Sequence, residues 1–409
     1  MDIRQVKEKL DRMKCYGNVI WLLLYGIPIG ILVGGLDVIF GKVLLDITDF
    51  RQQYGMYFLP FLAIVGVGIV RVYERFGKES EKGMGLIFEV GHGQREEIPL
   101  RLIPFVVIST WLTHLFGGSA GREGVAVQIG ATCSQWFGNK VLKKKNTNIF
   151  LIAGIAAGFS GLFGTPLAAV FFALEVLVVG VLQYEALIVA MSAAFVSSAT
   201  AHICGLEKFS FSLGITIQMT PKLIGVLIGL GVCFGLAGSL FAYVLQYAKK
   251  QFGYWIPSKS KRIAIGGILL SILLLLCHQG RYSGLGTNLI QAALHGEPIY
   301  GYDWMIKLVL TIVTLAIGFQ GGEVTPLFSI GASLGCFLAP FLGIPVVLGA
   351  ALGYIAVFGS ATNTFLAPIF IGAEVFGYEY IPYFFLVCGI AYAVNGNRSI
   401  YSLQKVMDK

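Results

Sequence analysis

The chain has 409 residues, of which 56% are hydrophobic and 13% charged, against about 25% charged in an ordinary soluble domain. Apolar runs at 21–40, 56–70, 149–182, 221–247, 263–277 and 327–370 are almost free of charge, and runs of that length read as membrane-spanning helices. This composition excludes a soluble globular protein, and the net charge of +8 lacks the aromatic-interleaved basic patch that nucleic acid binding needs.

Taken in order, residues 1–16 open with MDIRQVKEKLDRMK, where Ile3, Val6, Leu10 and Met13 fall at helical spacing. The segment is expected to form an amphipathic helix along the membrane face. It is not a cleavable signal, since it lacks a short apolar core and a small-residue cleavage site. A first membrane repeat is expected over 17–248, a basic linker over 249–262, a second membrane repeat over 263–395, and a C-terminal helix with Tyr401 over 396–409. Lys143–Lys145 and the linker are the densest basic clusters, and short basic loops stay cytoplasmic. The 53 glycines are spread through the apolar runs. Such interruptions occur where backbone lines a cavity, which favours a transporter or channel over an anchor. The seven cysteines show no CxxC pair and no metal-ligand spacing, so they read as packing residues and neither a metal nor a cofactor is expected.

The two halves echo each other. Gly83 and Gly85 of GMGLIFEVGHG match Gly284 and Gly286 of GLGTNLIQAALHG at an offset of 201. GREGVAVQIGA matches GGEVTPLFSIGA, with Ile129–Ala131 against Ile330–Ala332, again at 201. LAAVFFALE and LAPIFIGAE follow at 199. A duplicated transporter usually carries its site where the interrupted segments of the two halves meet. Here those are 83–85 with 284–286, and 121–125 with 322–326. The offset alone does not say whether the repeats are inverted.

The stretch GGSAGREGVAVQIGA (117–131) carries the strongest chemistry. Gly117, Gly118, Gly121 and Gly124 surround Arg122 and Glu123, and a helix starting after the loop would aim free N–H groups back at it. An acid in an intramembrane segment is costly and usually lines an aqueous path. Neighbours on a helix point apart, so a direct Arg122–Glu123 pair is not favoured, and Arg122 is expected to hold backbone carbonyls or another carboxylate. In GGEVTP, Pro326 suits the first helical turn. Thr325 would be its N-cap, facing an anion or simply capping the helix. Glu323 is a second acid beside the same place and suggests a proton relay with Glu123, or a carboxylate on free N–H groups. Glu175 and Glu374 are equivalent across the repeat and read as helix-end contacts. Tyr401 by itself reads as a surface tyrosine. No HExxH, Walker loop or GxSxG motif supports an intramembrane enzyme.

On GREG, the GGxxxP loop, the glycine-flanked loop before GREG, the PLA segment ending in Glu and the late tyrosine, the chain resembles the CLC family of chloride channels and proton-coupled anion antiporters. The departures resemble its bacterial fluoride-exporting branch. Met84 stands where chloride members usually have a serine, Val125 follows GREG in place of proline, Glu323 is added, and Val176 occupies the position of a common second acid. The resemblance implies an all-α polytopic membrane protein with two inverted-topology repeats whose interrupted helices meet at a central anion site. It implies a homodimer in the bilayer with one pathway per subunit, and exchange of fluoride for protons. It places Glu123 as the gating glutamate, Tyr401 as a central tyrosine, and Glu123 with Glu323 as the proton-coupling acids. Met84, Gly121, Arg122, Gly124, Val125, Val324 and Thr325 then line the anion site with Tyr401. The alternatives are a chloride/proton antiporter or passive anion channel of the same fold, and more remotely a membrane enzyme.

Overall fold

In the computed structural model the backbone is described for residues 3–141 and 147–407, and side chains for 19–141 and 148–407. The expected amphipathic face of 1–16 and the cluster Lys143–Lys145 therefore lie outside the described residues. The first half contains α1 (Ile3–Phe58), α2 (Leu62–Val72), α3 (Met84–Gly91), α4 (Leu102–Leu115), α5 (Glu123–Trp136), α6 (Thr147–Phe163), α7 (Pro166–Glu175), α8 (Leu187–Ile203) and α9 (Pro221–Trp255). The second contains α10 (Lys259–Leu276), α11 (Thr287–His295), α12 (Asp303–Ile317), α13 (Val324–Leu342), α14 (Val346–Thr362), α15 (Leu366–Phe376) and α16 (Ile381–Val394).

Helix starts follow local chemistry. Thr220 caps α9 by accepting from the Leu223 N–H at 3.2 Å, with Pro221 as the first helical residue. The proline has no N–H to leave unbonded there. Ser258 caps α10 in the same way. Because α9 runs on to Trp255, only residues 256–258 of the basic segment 249–262 are left between helices.

The core is made by helices that touch through glycine. α5 crosses α6, and α13 crosses α14, so closely that a Cβ on Gly130 or Gly331 would overlap the carbonyl oxygen of Gly154 or Gly353. In lipid, such contact is how helices gain dispersion energy. These four positions obey the repeat, since 130 and 331 lie at its offset of 201 and 154 and 353 at its offset of 199. Equivalent residues also meet across a local two-fold. Phe171 stacks on Phe370 at 4.4 Å. Glu175 accepts from the N–H groups of Phe365, Leu366 and Ala367 at the start of α15. Glu374 accepts from Leu167 and Ala168 at the start of α7. The helix-end duty read from the sequence for both acids is what the structure shows.

The expected C-terminal helix over 396–409 is corrected. α16 stops at Val394, and Gly396 (φ +67°) and Asn397 (φ +58°) turn the chain out of the helix. Left-handed backbone at Gly or Asn is the usual end of a helix. The segment then returns across the molecule, and β2 (Lys405–Val406) pairs in parallel with β1 (Val178–Val179).

Candidate anion and proton site

The two interrupted loops meet directly. Gly121 and Gly322 form an antiparallel pair, with N–H to O=C bonds of 2.5 and 2.8 Å. A Cβ on Gly121 would lie 2.8 Å from Cδ of Pro326 and 3.0 Å from the Gly322 carbonyl, so the contact requires glycine. From this bridge the chains depart into α5 and α13, and the starts of both helices come together.

Glu123 is the first residue of α5 and is 1% exposed. Its Oε2 accepts from the Thr325 hydroxyl at 2.5 Å, the Thr325 N–H at 3.1 Å and the Arg122 N–H at 3.3 Å. The carboxylate of the first repeat thus sits on the helix start of the second. Its Oε1 has no hydrogen-bond partner among the described residues.

Four readings are corrected here. α13 begins at Val324, with Glu323 at the N-cap position, so Thr325 is its second residue and donates to Glu123 instead of capping. Proline at the third helical position still leaves no broken bond, because the first four N–H groups of a helix have no partner within it. Arg122 does approach Glu123, with Nε 3.7 Å from Oε1. Arg122 precedes the helix with a non-helical backbone (φ −128°, ψ −26°), so the rule that helical neighbours diverge does not apply to it. Arg122 does not hold backbone carbonyls among the described residues, where its Nε and Nη1 are buried without hydrogen-bond partners. Tyr401 is buried, 7% exposed, and packs on Phe88 of α3 at 5.3 Å.

A cavity of about 350 Å³ opens beside this site, lined by Met84, Gln128, Lys249, Arg262, Glu323 and Tyr401 among others. Met84 is the first residue of α3, following Gly83 at φ +52°. Glu323 faces the cavity, its Oε1 3.8 Å from Nζ of Lys249. Its Oε2 would lie 3.8 Å from a Cβ on Gly124, which places the second acid one residue beyond Glu123 along α5. A second cavity of about 460 Å³, lined by Arg51, Arg281, Ser283 and Thr287, lies at the start of α11. Arg262 near the start of α10 lines the first cavity and His278 just beyond its end lines the second. A helix of this length spans about 27 Å, close to a bilayer core of about 30 Å. The paired loops lie between the two: Glu323 faces the first cavity, and the Gly284 N–H near the second bonds the Gly118 carbonyl at 3.0 Å.

The structure brings together Glu123, Arg122, Thr325, Gly121 and Gly124, and puts Met84, Glu323 and Tyr401 on the adjoining cavity. Val125 and Val324 contribute backbone only. Their side chains are buried at 0% and 1% exposure in apolar clusters, and the Val125 N–H bonds the Arg122 carbonyl. Two lining residues escaped the sequence reading. Gln128 bonds the Gly124 carbonyl through Nε2 at 3.2 Å, and an amide one turn after Gly124 in an otherwise apolar stretch is its signal in the sequence. Lys249 reads in the sequence only as a topology charge.

The chain belongs to the voltage-gated chloride channel family. The family profile matches residues 65–396. The chain is 35% identical over 406 residues to a chloride/fluoride channel protein of Pseudomonas syringae pv. tomato, covering 98% of this chain and 89% of that one. It is 24% identical over 297 residues to the voltage-gated ClC-type chloride channel ClcB of Salmonella typhimurium, covering 69% and 70%. Among solved structures it matches a CLC-type fluoride/proton antiporter with TM-score 0.94 and 50% identity over 96% of this chain and 99% of that one. A slow cyanobacterial Cl⁻/H⁺ antiporter matches at TM-score 0.79 and 20% identity over 93% and 96%, a likeness of fold alone. The fold is the all-α, two-repeat polytopic fold of this family, and the chain is a multi-pass membrane protein.

Proposed function

We propose that this protein is a proton-coupled fluoride exporter of the cell membrane, in which inward proton movement drives fluoride out. The observation that carries the reading is the Glu123 carboxylate lying on the N–H and O–H of Thr325 at the start of α13. Those donors, with the buried N–H groups of Arg122, make a site for one negative charge. Ionised Glu123 fills it. On protonation Glu123 loses the charge that holds it there and yields the donors to an anion, so proton and anion alternate at one place. Fluoride is small and strongly hydrated, and close N–H and O–H donors replace its water. Glu323, in the adjoining cavity, receives the proton and passes it to solvent, a duty that Val176 cannot perform. Met84 lines the cavity without donating a hydrogen bond. The cavity shares its end of α10 with the basic segment 249–262, which the positive-inside rule places in the cytoplasm.

The relatives support the anion. One is described as a chloride/fluoride channel protein and the other, at 50% identity, as a fluoride/proton antiporter. As in that family, we take the working unit to be a homodimer with one pathway per subunit, which light scattering of the purified protein tests. Fluoride and chloride efflux from proteoliposomes, with proton movement recorded, tests the function. Fluoride efflux coupled to proton uptake, with chloride efflux near background, is expected. Comparable chloride flux, or fluoride flux without protons, would assign the chain to the antiporter or passive-channel alternatives.

A further inference from the structure

We propose that Lys249 is the residue that loads the anion from the cytoplasmic cavity, and that its charge becomes available only when Glu323 carries a proton. The inference rests on the fluoride/proton reading above. Among the described residues the cavity's cations are Lys82, Arg262 and Lys249, and of these Lys249 is the one paired with an acid of the site. Lys82, after α2, bonds Glu89 at 2.8 Å. Arg262 of α10 donates to the Ile317 carbonyl at 3.4 Å. Glu81 is held by Lys259 at 2.6 Å. Lys249 of α9 has Glu323 as its ion-pair partner, at 3.8 Å. The other ionisable groups lining the cavity with Glu323 are Glu81, Lys82, Arg262 and Tyr401, and Glu123 precedes Gly124, beside which Glu323 Oε2 sits.

The two members of the pair differ in access. The Lys249 side chain is 41% exposed in the cavity, whereas that of Glu323 is 14% exposed. An ammonium beside an ionised carboxylate presents little net charge to an incoming anion. When Glu323 gains a proton, the same ammonium stands unbalanced at the mouth of the site. Fluoride is then drawn in after a proton has arrived from the other side of the membrane. Release of that proton to the cytoplasm restores the pair and weakens the hold on fluoride. The arrangement ties fluoride loading to proton arrival, which is what exchange in opposite directions requires. It also gives Lys249, on a helix outside both interrupted loops, a direct place in coupling.

The test uses the purified full chain in proteoliposomes, with pH set equal on both sides and fluoride concentration varied. In the native protein the half-saturating fluoride concentration is expected to fall as pH falls. Lys249→Met should raise it about fivefold at low pH, the effect of removing one partly hydrated charge, and should shrink its pH dependence to the part set by Glu123. Lys249→Arg should restore both, which a purely structural lysine would not do, and the melting temperature in detergent should stay within a few degrees for all variants. Glu323→Gln should give a lower half-saturation with proton movement lost, its remaining pH dependence being that of Glu123. Adding Lys249→Met to it should raise half-saturation again by the same factor. If Lys249→Met titrates with fluoride and pH as the native protein does, the proposal is overturned while proton-coupled transport stands. Native protein without coupled fluoride movement would remove the transport reading itself.

Discussion

The two loops that build the site share a backbone and differ in nearly every side chain. Gly121 faces Gly322, and helices start at Glu123 and Val324, at equivalent positions. The residue before each helix is Arg122 in one half and Glu323 in the other, opposite charges at one structural place. The first helical residue is Glu123 against Val324, the second Gly124 against Thr325. Each half therefore lacks what the other supplies: the acid comes from the first, and the hydroxyl it binds from the second. The helix ends at α7 and α15 behave differently. There both halves keep a glutamate, and each caps the other's helix. Duplicated residues maintain the frame, and the chemistry lies where the copies have diverged.

If that division is right, breaking the shared frame should damage folding equally from either side. Gly130→Ala and Gly331→Ala each drive a Cβ into a facing backbone carbonyl, which cannot swing aside as a side chain can. Each is expected to cost about 3 kcal/mol or more, read as a large and similar drop in melting temperature in detergent. Tolerance of alanine at one site and not the other would show that the two crossings are not equivalent supports.

Copying the second half into the first is the next largest effect. Glu123→Val gives α5 the first residue that α13 has. Folding should survive, since Val is the natural occupant of the equivalent place, but proton movement should fall to liposome background and fluoride flux by about a hundredfold, near 2.7 kcal/mol of barrier. Retained proton coupling would move the gating role elsewhere. Thr325→Val should act more mildly, because the Thr325 N–H remains when the hydroxyl is lost. A hydrogen bond to a charged group is worth about 1.5–3 kcal/mol, so half-saturating fluoride is expected to rise about tenfold, with Thr325→Ser recovering most of it. Equal fluoride dependence in Thr325→Val and native protein would exclude the hydroxyl from the anion's contacts.

How much of this was legible in the sequence follows the same line. The frame was readable because duplication repeats it: the glycine pairs, the matching PLA segments and the two terminal glutamates recur at nearly constant offset. Glu123 was readable because an acid among glycines in an apolar run has few other uses. What was hidden depends on contacts between distant segments or on single φ angles. Lys249 reads as a topology charge until α9 is seen to run about two turns beyond its apolar stretch, with Lys249 beside Glu323. Arg122 reaches Glu123 only because its backbone is not yet helical. The last segment reads as a helix until Gly396 and Asn397 turn it and β1, more than two hundred residues earlier, pairs with it.

The two helix-end glutamates test the frame's symmetry most finely. Glu175 accepts three N–H bonds, at 3.1, 3.1 and 2.8 Å, and is 8% exposed. Glu374 accepts two, at 3.1 and 2.9 Å, and is half-buried. A glutamine in either place keeps one acceptor oxygen, turns an NH₂ toward N–H groups, and removes the charge that favours a helix start. Glu175→Gln is therefore expected to cost about 2 kcal/mol and Glu374→Gln about 1 kcal/mol, because one strands more donors in a drier place. Melting in detergent measures both, and fluoride transport by the surviving folded protein should be unchanged in each. A larger loss at Glu374 would mean that the number of bonds does not rank the two contacts. Lost transport with stability intact would place one of these acids in the chemistry, and the division between shared frame and diverged site would fail at that position.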